Sequence, residues 1–187
     1  YRDIMSERWA LDHAPPSLPA PREAYARAHK LGKGAFGVAF CYREPLEGRE
    51  LAVKVNWQAI EHTDVVHEIE MLERVQGSEH VIRFFSPAHR LDGGHMLVFE
   101  KASGDVMDRW ITDPLTDLRK GFFRQMVLGV HHCHTLGIAH IDVKLDNFVL
   151  MADDRTVKLI DFGNARHAFT KEGLVKPVFG GGGTYNE

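Results

Sequence analysis

Three glycines, Gly32, Gly34 and Gly37, lie within a run of β-favouring residues, and the strand after them limits how this chain can fold. Backbone without a Cβ can approach a phosphate chain closely, and the G-x-G-x-x-G spacing is a common form of such a loop. In a dinucleotide fold the glycines come after a strand and open a helix. Here Val38-Ala39-Phe40-Cys41 continues as strand, which excludes that fold. Two strands joined by a flexible turn are predicted from about Ala28 to Phe40. By itself, such a turn also fits a hairpin that binds nothing.

The next run, Leu51-Ala52-Val53-Lys54-Val55, reads as a buried strand with one charge inside it. A buried ammonium needs an anionic partner. Glu68 is the best candidate, on an amphipathic helix marked by Val65, Val66, Ile69 and Leu72 at helical spacing. Taken alone, Lys54 equally fits a side chain that reaches solvent. His80–Leu91 and His95–Phe99 read as a hairpin around Asp92-Gly93-Gly94. Beyond Glu100 the period becomes helical. Phe122, Phe123, Met126 and Val130 mark a helix from Leu118 to Leu136, ended by Gly137. Phe148-Val149-Leu150 and Val157-Lys158-Leu159-Ile160 are two short strands. A strand-rich first half and a helix-led second half predict two lobes. Residues 1–27, with the proline-rich Ala14–Pro21, read as a separate exposed extension.

Composition narrows the class without naming a chemistry. With 44% hydrophobic and 26% charged residues the chain suits a globular domain, and no apolar run approaches a membrane span. A net charge of −3 argues against a dedicated nucleic-acid binder. Cys41 and Cys133 form no disulfide framework, so a reducing compartment, cytoplasmic or nuclear, is expected.

The densest chemistry lies in His140-Ile141-Asp142-Val143-Lys144-Leu145-Asp146-Asn147. Asp142 can accept a proton from an attacking hydroxyl, Lys144 can steady a transferring phosphoryl group, and Asn147 offers a neutral oxygen to Mg²⁺. A purely polar surface loop fits less well, because His140 and Leu145 are spaced as buried anchors. Asp161-Phe162-Gly163 comes directly after a strand and suits a metal-holding carboxylate beside a hinge. His131-His132-Cys133-His134 resembles a metal cluster. Adjacent helical positions diverge, however, so these groups are expected to be ordinary helix residues.

Taken in order, these features resemble the eukaryotic protein kinase family from about Ala28 to Thr184. Leu31–Gly37 looks like the loop over the ATP phosphates, and Ala52-Val53-Lys54 like the family's lysine strand. Glu68 falls where its αC glutamate pairs with that lysine. Phe99-Glu100-Lys101-Ala102 resembles the gatekeeper and hinge, His140–Asn147 the catalytic loop, and Asp161-Phe162-Gly163 the metal-binding triplet. The resemblance implies an α+β bilobal fold, with a β-rich N-lobe carrying the αC helix over residues 28–100. The first part of a helical C-lobe would occupy 101–187.

It further implies Asp142, Lys144, Lys54 and Glu68 as catalytic residues, and Asn147 and Asp161 as ligands of Mg²⁺. ATP would be bound by Gly32, Lys33, Gly34, Ala35, Phe36 and Gly37, by Lys54 and Asp161, and by the hinge residues Glu100 and Ala102. Ala39, Ala52 and Val149 would sandwich the adenine. Lys144 is similar to the serine/threonine-specific classes, so the expected reaction is phosphoryl transfer from Mg-ATP to a protein serine or threonine. The expected partners are that protein substrate and a regulatory protein, with no nucleic acid or membrane. The alternative is a nucleotide-binding pseudokinase or a regulatory fragment.

Three departures stand out. Ala39 replaces the usual valine, trimming the adenine roof, which is expected to weaken nucleotide binding without abolishing it. Ile141 replaces the arginine that clamps an activation-segment phosphate. Thr170 with Arg166, Lys171 and Lys176 is a weak substitute, so control by partners or expression is expected instead. Gly183-Thr184 looks like the opening of the substrate-recognition segment, but the family's Ala-Pro-Glu is absent after it. The C-lobe is therefore expected to be truncated here, with apolar helix surface left wet and little activity in the isolated chain.

Overall fold

The computed structural model describes residues 29–34, 36–43, 48–57, 60–89, 95–112 and 116–168. The extension 1–27, Ala35, the Asp92-Gly93-Gly94 turn, Thr170, Lys171, Lys176 and Gly183-Thr184 lie outside the described residues. Two compact units are formed, one by residues up to Ile69 together with Ile82–Ala102, the other by Glu70–Val81 and residues from Ser103 on.

The first unit is an antiparallel sheet of β1 (His29–Lys33), β2 (Gly37–Arg43), β3 (Glu50–Asn56), β4 (Phe84–His89) and β5 (His95–Glu100), in the order β1-β2-β3-β5-β4. Strand β4 starts at Phe84 rather than at His80, and as an edge strand it tolerates Pro87. Period-two alternation divides the sheet. Tyr42, Leu51, Val53, Met96 and Val98 form one buried cluster, with Val55 and Phe85 against it. Lys54 pairs across β2–β3 with Ala39 and lies two residues from Ala52. Cross-strand partners share a face, so these three occupy the face opposite the cluster. A Cβ on Gly37 would come within 2.2 Å of the Val55 carbonyl oxygen. Glycine is therefore required there for β2 to pair with β3.

Helix α1 (His62–Arg74) buries Val65, Glu68, Met71 and Leu72, with Val75 buried just beyond its end. Val66, which the sequence pattern assigns to the apolar stripe, is 44% exposed. The stripe instead runs through the i, i+3, i+6, i+7 and i+10 positions from Val65, and Val66 falls one residue off it.

In the second unit, α2 (Val106–Thr112) and α3 (Thr116–Thr135) accompany two small sheets. One runs β6 (Gly104–Asp105), β8 (Phe148–Leu150), β9 (Val157–Leu159), and the other pairs β7 (Ile138–Ala139) with β10 (Arg166–His167). Helix α3 buries Phe122, Met126, Gly129 and Cys133 at spacings of one turn. Gly129 is fixed by close approach, since a Cβ there would meet the His80 carbonyl oxygen at 2.6 Å. That same oxygen accepts a hydrogen bond from the Leu159 amide at 2.9 Å. The helix ends at Leu136–Gly137, where Gly137 has a φ of 70°. Phe123 points away from the buried stripe and is 60% exposed. With Trp110, Val127, Val130 and Val143 it lines an apolar groove.

Candidate functional site

In the first unit, Lys54 donates to Glu68 Oε1 at 2.6 Å, joining β3 to α1. The two side chains are 16% and 3% exposed, so this is a partly desolvated pair that water screens little. The Lys54 ammonium also lies 5.4 Å from the centroid of the Phe36 ring, at the end of the glycine-rich turn. Within that turn the Gly34 amide donates to the Gly37 carbonyl at 2.9 Å.

The three glycines differ in what requires them. Gly37 is demanded by β-pairing. Around Gly32 and Gly34 a Cβ would meet nothing within 4 Å, and neither residue has the positive φ that favours glycine. Side-chain crowding and backbone conformation therefore do not require glycine at either position.

At the candidate hinge the Glu100 amide donates to the Arg83 carbonyl at 3.0 Å, while its Oε1 accepts from the Arg83 amide at 2.7 Å. Lys101 approaches Glu50 at 3.4 Å and donates to the Ala102 carbonyl, also at 3.4 Å.

In the second unit, the residues of the candidate catalytic loop converge. Asp142 Oδ2 accepts from Lys144 Nζ at 2.7 Å and from Asn147 Nδ2 at 3.0 Å, and Nδ2 also donates to the Asp142 carbonyl at 2.7 Å. The Lys144 hydrogen bond is the main reason the Asp142 carboxyl lies below its ordinary range, and Asn147 adds to it. Reciprocally, Asp142 raises Lys144. Lys144 is half-exposed, so the pair contributes little to stability and mainly orients the carboxylate.

Beneath this loop sits His140, only 1% exposed. Its Nε2 donates to the Ile160 carbonyl at 2.8 Å, and its ring meets Phe162 edge-on at 4.9 Å. Nε2 thus carries the proton, while Nδ1 is buried without a hydrogen-bond partner. Burial accordingly pulls the imidazole below its ordinary value. Because Ile160 and Phe162 flank Asp161, one histidine fixes both neighbours of that carboxylate. The Ile160 amide further donates to the Asn147 carbonyl at 2.9 Å, tying the two candidate metal-holding residues together through the main chain.

Among the described residues three non-glycine residues have left-handed backbone: Ile141 with φ 70°, Asp161 with φ 63° and, in the β8–β9 turn, Asp154 with φ 55°. For a β-branched residue this is strained, and such strain concentrates at functional sites. The Ile141 departure therefore has a backbone side as well as the loss of a guanidinium. Val149 lies half-buried on β8. Arg166, expected as a substitute phosphate ligand, donates to the Gly163 and Ala165 carbonyls.

Of the histidine-rich stretch, Cys133 is fully buried with its thiol pushed up to about 11, and His132 donates to the Val75 carbonyl at 3.0 Å. Sequence reasoning passed over three supports. Asp105 caps α2 by accepting from the Asp108 amide at 2.8 Å, a signal readable as an Asp just before a helix. Ser103 Oγ donates to the Leu150 and Met151 carbonyls, each at 2.8 Å. Gln125 holds the β8–β9 turn through the Arg155 carbonyl and the Val157 amide, and nothing in its sequence neighbourhood marks it.

Against known proteins, the family model described as protein kinase domain matches residues 25–181. Calcium-dependent protein kinases 29 and 26 of Arabidopsis thaliana are each 31% identical to this chain, over 79% and 78% of it and 29% and 32% of their own lengths. Calcium-dependent protein kinase 13 of Oryza sativa subsp. japonica is 32% identical over 82% of the chain and 29% of its own length. The chain thus spans about a third of the length of the curated relatives it matches.

Proposed function

Because this chain belongs to the protein kinase domain family, we propose that the whole protein is a protein serine/threonine kinase, transferring the γ-phosphoryl group of Mg-ATP to a substrate hydroxyl. The observation that carries this reading is the Asp142 carboxylate, held by Lys144 and Asn147 on a loop anchored through His140. An ionised carboxylate whose orientation is fixed is the group that removes a proton from an attacking hydroxyl. In the proposed step the substrate oxygen bonds to the γ-phosphorus, its proton passes to Asp142, and the bond to the β–γ bridging oxygen breaks. Lys144 places positive charge beside the transferring group. Lys54, aligned by Glu68, holds the α- and β-phosphates, and the turn from Gly32 to Gly37 covers them. Ala39 and Ala52, on the face of β2 and β3 opposite the buried cluster, offer apolar surface to the adenine, with the main chain at Glu100 and Ala102 along its edge.

The donor set suits Mg²⁺. Asn147 spends Nδ2 on Asp142, which leaves Oδ1 as the atom to face a cation, and Asp161 adds a carboxylate. These are the hard oxygen donors that Mg²⁺ prefers. Bound there, the ion supplies charge neutralisation on the phosphate oxygens.

Lys144 supports serine/threonine over tyrosine specificity, and no observation favours a pseudokinase. The relatives' names add calcium dependence. The likeness covers about a third of their length, so it extends to kinase activity alone. Mg-ATP at 100 times its Kd is expected to stabilise the protein by about 2.7 kcal/mol, read as a rise in Tm. Gly32→Ala is expected to leave the ligand-free Tm unchanged and to shrink that rise. A folded protein with no rise at millimolar Mg-ATP would overturn the reading.

A further inference from the structure

Trp57, the residue after β3, is bound to the glycine-rich turn by both its main chain and its side chain. Its amide donates to the Phe36 carbonyl at 3.1 Å, extending the β2–β3 ladder by one residue beyond Gly37–Asn56. Its indole Nε1 donates to the Gly34 carbonyl at 3.3 Å. The Lys33 ammonium stands 5.5 Å from the indole centroid. One side chain thus touches the turn at Lys33 and Gly34, and its main chain reaches Phe36, whose ring lies over the Lys54 ammonium. Gly32 and Lys33 pair with Ala39 and Val38 of β2 and the Gly34 amide is held by the Gly37 carbonyl, while a Cβ on Gly32 or Gly34 would meet nothing within 4 Å. Beside these contacts of Trp57, the turn meets β3 through the ladder at Gly37 and the Phe36–Lys54 contact. Core burial does not account for the indole, because Trp57 is 38% exposed.

We infer that Trp57 is a positioning residue for the nucleotide: it sets the height of the glycine-rich turn above β3 and holds the Lys33 charge beside it. This rests on the kinase reading and names a residue within it. Loss of the tether acts on nucleotide binding and much less on the chemical step, because Trp57 touches none of the groups proposed for proton transfer. The indole also reports the turn's position, so its fluorescence responds when Mg-ATP binds.

The test compares the full protein with Trp57→Phe and Trp57→Leu. Phenylalanine keeps a ring for Lys33 and loses the indole donor, whereas leucine loses both. The KM for ATP is expected to rise about 3- to 10-fold in Trp57→Leu and by an intermediate factor in Trp57→Phe, with kcat within about twofold of the parent. The fluorescence change on adding Mg-ATP is expected in the parent and lost in both variants, although Trp9 and Trp110 remain. If the parent binds Mg-ATP and Trp57→Leu matches its KM, the inference fails and the kinase reading stands. Equal losses in kcat and kcat/KM, or a large fall in ligand-free Tm, would make Trp57 a general structural residue and also overturn it. If the parent binds no Mg-ATP, the kinase reading fails and the inference falls with it.

Discussion

Asp142→Asn is expected to lower kcat by about 10²- to 10⁴-fold while Mg-ATP binds with nearly the parent Kd. The amide is isosteric and can still accept from Lys144, so the loop that carries it has no reason to collapse. What it lacks is the capacity to take a proton. In the parent, Lys144 holds the carboxyl below its ordinary range, so the ionised form is already present at neutral pH and persists as the pH falls toward the usual carboxylate range. Only the transition state uses this basicity, which is why the loss appears in kcat and not in nucleotide affinity. Single-turnover phosphoryl transfer alongside equilibrium nucleotide binding separates the two. Equal rates for variant and parent would show that Asp142 is not the base.

The second large effect is on stability. Glu68 is 3% exposed, and its Oε1 lies 2.6 Å from Lys54 Nζ. Removing one partner of a buried ion pair leaves the other charge desolvated, which costs roughly 3–5 kcal/mol. Lys54→Met is therefore expected to destabilise the protein by up to about that amount in urea unfolding, because it removes the cation 2.6 Å from the buried Glu68 carboxylate. Lys54→Met combined with Glu68→Leu replaces both charges with apolar surface, and is expected to be more stable than Lys54→Met alone. Lys54→Met, Glu68→Leu and the double variant should all lose Mg-ATP binding. Strictly additive stability losses would mean the two side chains are not coupled in the folded protein.

The legible and illegible parts of this sequence have separate physical causes. The strand carrying Lys54 and the helix carrying Glu68 were readable because period-two and period-3.6 patterns arise from backbone geometry alone. Their pairing was readable because a buried ammonium demands an anion. The same periodicity failed by one residue at Val66 and at Phe123. Both are apolar, and a sequence pattern cannot tell which of two adjacent apolar side chains faces the core. Helix α2 was missed because seven residues carry too little periodicity, although Asp105 signals its start. Gln125 and Trp57 were beyond reach for a deeper reason. Their partners are main-chain atoms 30 and 23 residues away, fixed only once strands and turns have met. At Ile141 the substitution was visible, but its left-handed backbone was not.

The most direct test of the central claim is phosphoryl transfer by the full-length protein. Terminally labelled Mg-ATP would be supplied with peptides offering serine, threonine and tyrosine, and the labelled amino acid in the product identified. Phosphoserine and phosphothreonine are expected, with the label absent when Asp142→Asn replaces the parent. A folded protein that binds Mg-ATP and labels none of the peptides, or labels only tyrosine, would contradict the account.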